Sequence, residues 1–172
     1  MKEEGKLRGN TVVATIVSNP ALDRFLNGCG IQCVRSAVGE RYVIEEMKKH
    51  GANVGGEESG HMVLSDYGKT GDAMTAALVL AQGLLKSGKK MSELFPLFEP
   101  MLRLRADSKF ATKEAMLAAF ELPEFQAAIH QAEQTVAGKG KVLVRKSGTE
   151  PKIQVWVWSD DRNLAEKVND EV

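Results

Sequence analysis

Two short stretches of the sequence hold side chains whose chemistry goes beyond packing: "RKSGTEP" at 145–151 and "GGEESGH" at 55–61. In the first, Arg145 supplies a planar guanidinium fork suited to oxyanions, and Ser147 and Thr149 supply hydroxyl donors. Gly148 between them lets successive backbone N–H groups turn into one concavity, a nest for an anion. In the second, Glu57 is an acceptor-only carboxylate and Ser59 both donates and accepts, a pair suited to neighbouring hydroxyls on a ligand. Gly55, Gly56 and Gly60 permit close backbone approach, and His61 carries an imidazole, the side-chain type best suited to moving protons at neutral pH. Each stretch also has a plainer reading. The first is a polar hairpin ended by Pro151, which composition alone favours. The second is a mobile glycine-rich loop with a solvated acidic pair.

The elements that must position these groups follow from hydrophobic periodicity. Residues 11–17, "TVVATIV", read as a buried strand, 21–30 as a short helix stopped by Gly28 and Gly30, and 31–38 as a second strand. Residues 40–51 are helical, with Val43, Ile44 and Met47 on one face and Gly51 as the C-cap. A glycine-rich segment with a strand at 61–66 precedes a helix over 73–88. That helix is apolar around most of its circumference and is expected to be buried. Ser92 is the expected N-cap of a short helix from 91. Alternating strands and helices to this point indicate an α/β layer with a mixed sheet.

The pattern changes near residue 100. An extended stretch at 101–110, helices at 112–120 and 123–137, a hairpin at 141–158 and a closing amphipathic helix make a small α+β unit. The second of these helices lines up Phe125, Ile129, Ala132 and Val136. In the hairpin, Val142 and Val144 share one face, as do Ile153, Val155 and Val157, opposite Gln154, Trp156 and Trp158. Two domains are expected, 1–100 and 101–172, joined through Pro96–Pro100.

Composition bounds the partners. The 172 residues carry 23 Lys and Arg against 23 Asp and Glu, so no global field draws nucleic acid or an acidic membrane. Anion binding must be local. Cys29 and Cys33 lack the second pair that a zinc site needs and read as structural thiols of a reducing compartment. No apolar run approaches the roughly 20 residues that span a bilayer, and "MKEEGKLRGN" has no signal-peptide core. A soluble cytoplasmic protein is expected. "GKT" at 68–70 is not a nucleotide loop, because Val63 stands where that motif needs glycine. Asp72 reads as a charge or cap at a helix start.

The two stretches also carry a resemblance. "RKSGTEP" is similar to the phosphate-binding loop, R-x-S-G-T-E-P, of the C-terminal domain of the α-D-phosphohexomutases, and "GGEESGH" to the sugar-recognition loop of that superfamily. "NTVVATIVSN" (10–19), "RSAVGERYVIEEM" (35–47) and "KTGDA" (69–73) resemble the phosphoglucosamine mutase branch in order and approximate spacing. The resemblance implies a third, α/β domain, without its opening helix, followed by a small TBP-like C-terminal domain. It implies that Glu57 and Ser59 contact sugar hydroxyls opposite the reacting end. Gly39, Glu40 and Arg41 would approach the sugar or its phosphate, although Arg41 reads equally as a solvated helix-start residue. Arg145, Ser147, Gly148 and Thr149 would hold the non-reacting phosphate. His61 would be a general acid/base, a phosphate contact or a residue that orients the loop. Glu57 and Ser59, on a glycine-rich loop, are expected to carry little packing.

The implied reaction interconverts glucosamine 6-phosphate and glucosamine 1-phosphate through a phosphoserine enzyme and a bisphosphate, for UDP-N-acetylglucosamine synthesis. The alternatives are a phosphomannomutase or phosphoglucomutase, or a phosphosugar-binding module without catalysis. Three residues depart from the family pattern. Lys146 replaces a common proline and would put a cation beside the anion. Gln154 replaces a frequent arginine. Glu58 replaces a frequent glutamine, which blurs preference among hexose phosphates. Neither a "TASHNP"-like serine loop nor a "DGDGDR"-like magnesium loop occurs. The sequence reads as part of a longer protein whose remaining domains supply both. Alone it is expected to be inactive, to bind a hexosamine phosphate and to hold no magnesium.

Overall fold

The computed structural model describes residues 1–95 and 97–171. The chain divides into two compact units, residues 1–100 and 101–172. Pro96, at the start of the expected joining segment, lies outside the described residues, as does Val172 at the end of the expected closing helix.

In the first unit, β1 (Thr11–Thr15), β2 (Gln32–Ser36), β3 (Val54–Gly56) and β4 (Met62–Leu64) form one sheet in the order β2-β1-β3-β4. The first three are parallel and β4 returns antiparallel. The mixed α/β layer read from the sequence is the observed one. Helix α1 (Ala21–Gly28) links β1 to β2, and α2 (Glu40–His50) links β2 to β3. Val43 and Met47 of α2 are buried with Val13, Ala52 and Val63. Gly51 ends α2 at φ 62°, the left-handed conformation that glycine adopts without a Cβ penalty. Sequence periodicity misses β3, because two of its three residues are glycine. A Cβ on Gly55 would come within 2.5 Å of Met47 Sδ and 2.7 Å of Val43. Glycine there lets α2 lie close on the sheet.

Helix α3 (Ala73–Ser87) forms as expected, with Asp72 as its N-cap accepting from the N–H groups of Met74 at 2.8 Å and Thr75 at 3.1 Å. Those bonds hold the Asp72 carboxyl below its ordinary pKa. Its expected burial is not observed. Only Ala76 is buried, while Met74, Leu78 and Leu85 are 70%, 64% and 83% exposed. An apolar circumference gives a helix surface that gains from cover, but says nothing of whether cover is present. Leu78→Glu and Leu85→Lys are accordingly expected to shift the stability of this chain by less than about 0.5 kcal/mol. Losses of about 2–5 kcal/mol, as for a buried leucine, on chemical denaturation would contradict the exposed placement. Ser92 is likewise not a cap. Helix α4 (Met91–Leu94) has its N-cap two residues earlier, at Lys90, whose backbone N–H donates to Glu93 at 2.7 Å.

The second unit is a three-stranded antiparallel sheet, β5 (Leu102–Lys109), β6 (Gly140–Lys146) and β7 (Lys152–Ser159), in the order β5-β7-β6. Helices α5 (Lys113–Phe120), α6 (Pro123–Val136) and α7 (Arg162–Glu171) complete it. Val142, Val155 and Val157 form a core with Ala132 and Val136 of α6 and Ala165 and Val168 of α7, with Val144 packed against it. The alternation read along the hairpin is therefore the observed one. Thr112 caps α5, accepting from the Ala115 N–H at 3.1 Å.

Candidate functional site

The loops that follow β1, β2 and β3 meet at the carboxyl ends of three parallel strands. With the order 2-1-3, chain connections leave β1 and β3 in opposite directions, which opens a crevice where ligands bind in such sheets. A cavity of about 280 Å³ there is lined by Thr15, Val17, Val38, Glu57, Glu58 and Ser59. A larger cavity of about 450 Å³ lies by the C-terminal end of α2, lined by Met47, Lys48 and Gly51 among others. That end of α2 feeds the amino end of β3, away from the predicted site residues, so the smaller cavity is the relevant one.

Glu57 organises this crevice. One carboxylate oxygen accepts from the Gly39 N–H at 3.0 Å, tying the loop after β2 to the loop after β3. The other lies 3.6 Å from His61 Nδ1, and Ser59 Oγ is 3.0 Å from the same nitrogen. The backbone closes the turn, with Glu57 N–H donating to the His61 carbonyl at 2.9 Å and Gly60 N–H to the Glu57 carbonyl at 3.1 Å. Gly39 stands at φ 127°, a conformation that side-chain-bearing residues avoid, so its N–H reaches Glu57 at no steric cost. The Glu57 side chain is only 11% exposed and that of His61 is 65% exposed. Glu57 thus carries a structural tether that the sequence did not reveal. Ser59 is exposed and carries no comparable link.

Gly39, Glu57, Ser59 and His61 are brought together; Glu40 and Arg41 are not. Glu40 accepts from the Gly71 N–H at 3.1 Å, holding the segment ahead of α3. Arg41 pairs with Glu45 one helical turn on at 2.8 Å and is 82% exposed, as a solvated helix-start residue would be. Arg35 is a positioning residue that sequence reasoning passed over inside "RSAVGERY". It donates to both oxygens of Asp23, at 2.6 and 3.1 Å, and to the carbonyls of Thr15, Ser18 and Asn19. A single half-buried guanidinium therefore fixes the loop after β1 at the wall of the crevice.

In the second unit the turn between β6 and β7 is held by its own backbone. Ser147 N–H donates to the Lys152 carbonyl at 2.9 Å, and Glu150 N–H to Ser147 Oγ at 3.3 Å. Among the described residues, nothing accepts from the N–H groups of Gly148 and Thr149. Gly148 is not at positive φ, so the turn does not require glycine for its backbone, and a Cβ there would meet open space. What glycine leaves is room. Arg145 is half-buried, its guanidinium 5.7 Å from the Trp156 ring centroid. Lys113, at the start of α5, donates to the Gly148 carbonyl at 3.2 Å and so sets an ammonium at the turn. Lys146 does not do this. Its ammonium lies 4.4 Å from the Phe120 ring centroid and 3.4 Å from Glu121, drawn to the far end of α5 by an aromatic face and a carboxylate. Behind the turn, Lys152 pairs with Glu150 at 2.6 Å and Asp107 at 3.2 Å. Arg105, with help from Lys152, holds the Asp107 carboxyl down to about 2.

Among the described residues, no three His, Cys, Asp or Glu side chains gather as a metal site would require, and no helix is long and apolar enough to cross a membrane. Cys29 and Cys33 are not joined in a disulfide.

Comparison with known proteins places this geometry. Residues 1–101 match the family model for the phosphoglucomutase/phosphomannomutase α/β/α domain III, and residues 101–172 match that for the C-terminal domain. The phosphoglucosamine mutases of Paramagnetospirillum magneticum and Ruegeria sp. are 44% and 45% identical, over 94% and 98% of this chain. The chain spans 36% and 37% of the length of those two relatives. In structure it is similar to Aspergillus fumigatus N-acetylphosphoglucosamine mutase, solved with glucose 1,6-bisphosphate (TM-score 0.74, 18% identity, 94% of this chain, 38% of the other). It is similar also to that fungal enzyme solved with GlcNAc-6P and magnesium (TM-score 0.73, 16% identity, 97% of this chain, 42% of the other). With both of its units matched in order along the whole sequence, the chain belongs to the phosphoglucomutase/phosphomannomutase family, of which it carries domain III and the C-terminal domain.

Proposed function

We propose that this chain is the substrate-holding part of a cytoplasmic phosphoglucosamine mutase. That enzyme interconverts glucosamine 6-phosphate and glucosamine 1-phosphate through a phosphoserine and a bisphosphorylated sugar, supplying a precursor of UDP-N-acetylglucosamine. The observation that carries the reading is the half-buried Arg145, without a hydrogen-bond or ion-pair acceptor among the described residues, beside two open amides at Gly148 and Thr149. A dianionic phosphate monoester supplies the acceptors that these groups lack. Glu57 and Ser59 take the sugar hydroxyls, with the Gly39 N–H fixing the carboxylate in place. His61, 3.0 Å from Ser59 Oγ, orients that hydroxyl and is the general acid/base candidate of the loop.

The division of labour follows from binding energy. Holding the remote phosphate contributes interaction that orients the reacting end without touching it. Because the intermediate carries phosphate at both ends, either end fits the same cradle, and reorientation needs no second site. Magnesium, when bound in the longer protein, neutralises charge at the transferring group. The residues of this chain do not fit it, and no step assigned to them runs through it. The nucleophilic serine and the metal ligands belong, in this reading, to the remainder of the longer protein.

Purified chain supplied with magnesium and a bisphosphate primer is expected to leave glucosamine 1-phosphate unchanged, while a protein of the relatives' full length turns it over. Turnover by the chain above a matched blank would overturn the division of labour. A full-length protein that binds the sugar phosphate without converting it would favour a binding module instead.

A further inference from the structure

We propose that Trp156 is the positioning residue for Arg145: its indole holds the guanidinium at the phosphate turn before any ligand arrives. The inference rests on reading Arg145 as a phosphate ligand. Trp156 sits on β7, the central strand, on the face opposite the helices. Its register partners are Arg105 on β5 and Leu143 on β6, and Arg145 is its diagonal neighbour, directly across from Gln154. Aromatic and long side chains reach one another across such diagonals. A tryptophan on the outer face of a two-layer unit is expected to be open to water, yet this one is 6% exposed. Two guanidinium groups approach it from the two neighbouring strands, Arg105 at 5.2 Å and Arg145 at 5.7 Å from the ring centroid.

The two arginines differ in what else they touch. Arg105 Nε and Nη2 donate to the two oxygens of Asp107 at 2.8 and 2.9 Å, so its charge and fork are already engaged. Arg105 is a fixed wall. Among the described residues Arg145 has the ring and no acceptor, so the ring is what holds it. Attraction to a ring uses the charge of a guanidinium and not its N–H groups, so the donors of Arg145 are left for an anion. A free arginine would lose rotamer freedom on binding phosphate. One already held on an aromatic face loses less, and binds more tightly for it. Lysine could not replace it, because an ammonium lacks the planar fork of donors that matches a phosphate.

The 172-residue chain, titrated with inorganic phosphate and followed by the amide signals of Gly148 and Thr149, tests this. Trp156→Leu, which removes the ring, is expected to weaken phosphate binding about fivefold, and Trp156→Phe, which keeps an aromatic face, to stay within about twofold of the original. In the unaltered chain without phosphate, the Arg145 Nε–H signal is expected upfield of its free position, shifted by the ring. That reading is independent of whether the leucine variant folds. An Nε–H signal at the free position, or a Leu variant that folds and binds as tightly as the original, would overturn the role of Trp156. If Arg145→Ala weakens phosphate binding and Trp156→Leu does not, the phosphate cradle stands and the role of Trp156 falls. If Arg145→Ala itself has no effect, the cradle falls and takes the role of Trp156 with it.

Discussion

Replacing Glu57 by alanine is expected to lower kcat/KM of the full-length protein on glucosamine 1-phosphate about a hundredfold, and also to destabilise the first unit by about 1–3 kcal/mol. The first effect is the loss of a charged acceptor for sugar hydroxyls; hydrogen bonds to charged groups contribute about 1.5–3 kcal/mol, and each 1.4 kcal/mol is tenfold in rate. The second comes from the Gly39 N–H, which donates to Glu57 at 3.0 Å and would lose its acceptor. Glutamine separates the two. Glu57→Gln keeps an oxygen for Gly39 and should restore stability, but not turnover. Ser59→Ala should leave the melting temperature unchanged, since Ser59 is exposed and its side chain meets His61, itself on the same loop. Retention of kcat/KM in Glu57→Ala would remove the carboxylate from the sugar, and an unchanged denaturation midpoint would remove the tether.

Arg145→Ala is expected to lower kcat/KM of the full-length protein about 10- to 150-fold, with the folded state retained. Among the described residues the guanidinium makes no ion pair that its removal would break, and the core face of the hairpin is built from Val142, Val144, Val155 and Val157. Part of the loss should appear as a lower kcat, because interaction at the remote phosphate orients the reacting end. A rise in KM alone, with kcat untouched, would mean that the arginine holds substrate and transition state equally. Arg145→Lys should not rescue, since an ammonium offers a phosphate no planar fork of donors.

How far the sequence could be read depended on what each residue type reports. The α2 face of Val43 and Met47 and the alternating hairpin were legible because periodicity alone reports the side that faces a core. β3 was hidden because Gly55 and Gly56 carry no side chain to show a period. The burial of α3 was misread because apolarity reports affinity for cover, not the presence of it. Arg145, Ser147 and Thr149 stand out by type, but the surroundings of Arg145 do not, since they depend on a tryptophan 11 residues away in sequence and diagonal in register. Lys146 was placed at the anion by adjacency, whereas strand alternation and the Phe120 ring turn it away. Arg35 was within view but unremarkable until its five acceptor contacts were assembled in three dimensions.

The central claim is that the turn at 147–149 is built to hold a phosphate ester. It is tested most directly by adding glucosamine 6-phosphate to the 172-residue chain and following every backbone amide signal. A saturable shift is expected first and largest at Gly148 and Thr149, whose N–H groups have no acceptor among the described residues, and it should vanish in Arg145→Ala. Affinity should be weak, because only part of the longer protein is present to close over the sugar. Shifts of equal size from sodium chloride at matched ionic strength would reduce the effect to screening. Shifts that centre on Gly68–Thr70, or that persist without Arg145, would contradict the phosphate cradle.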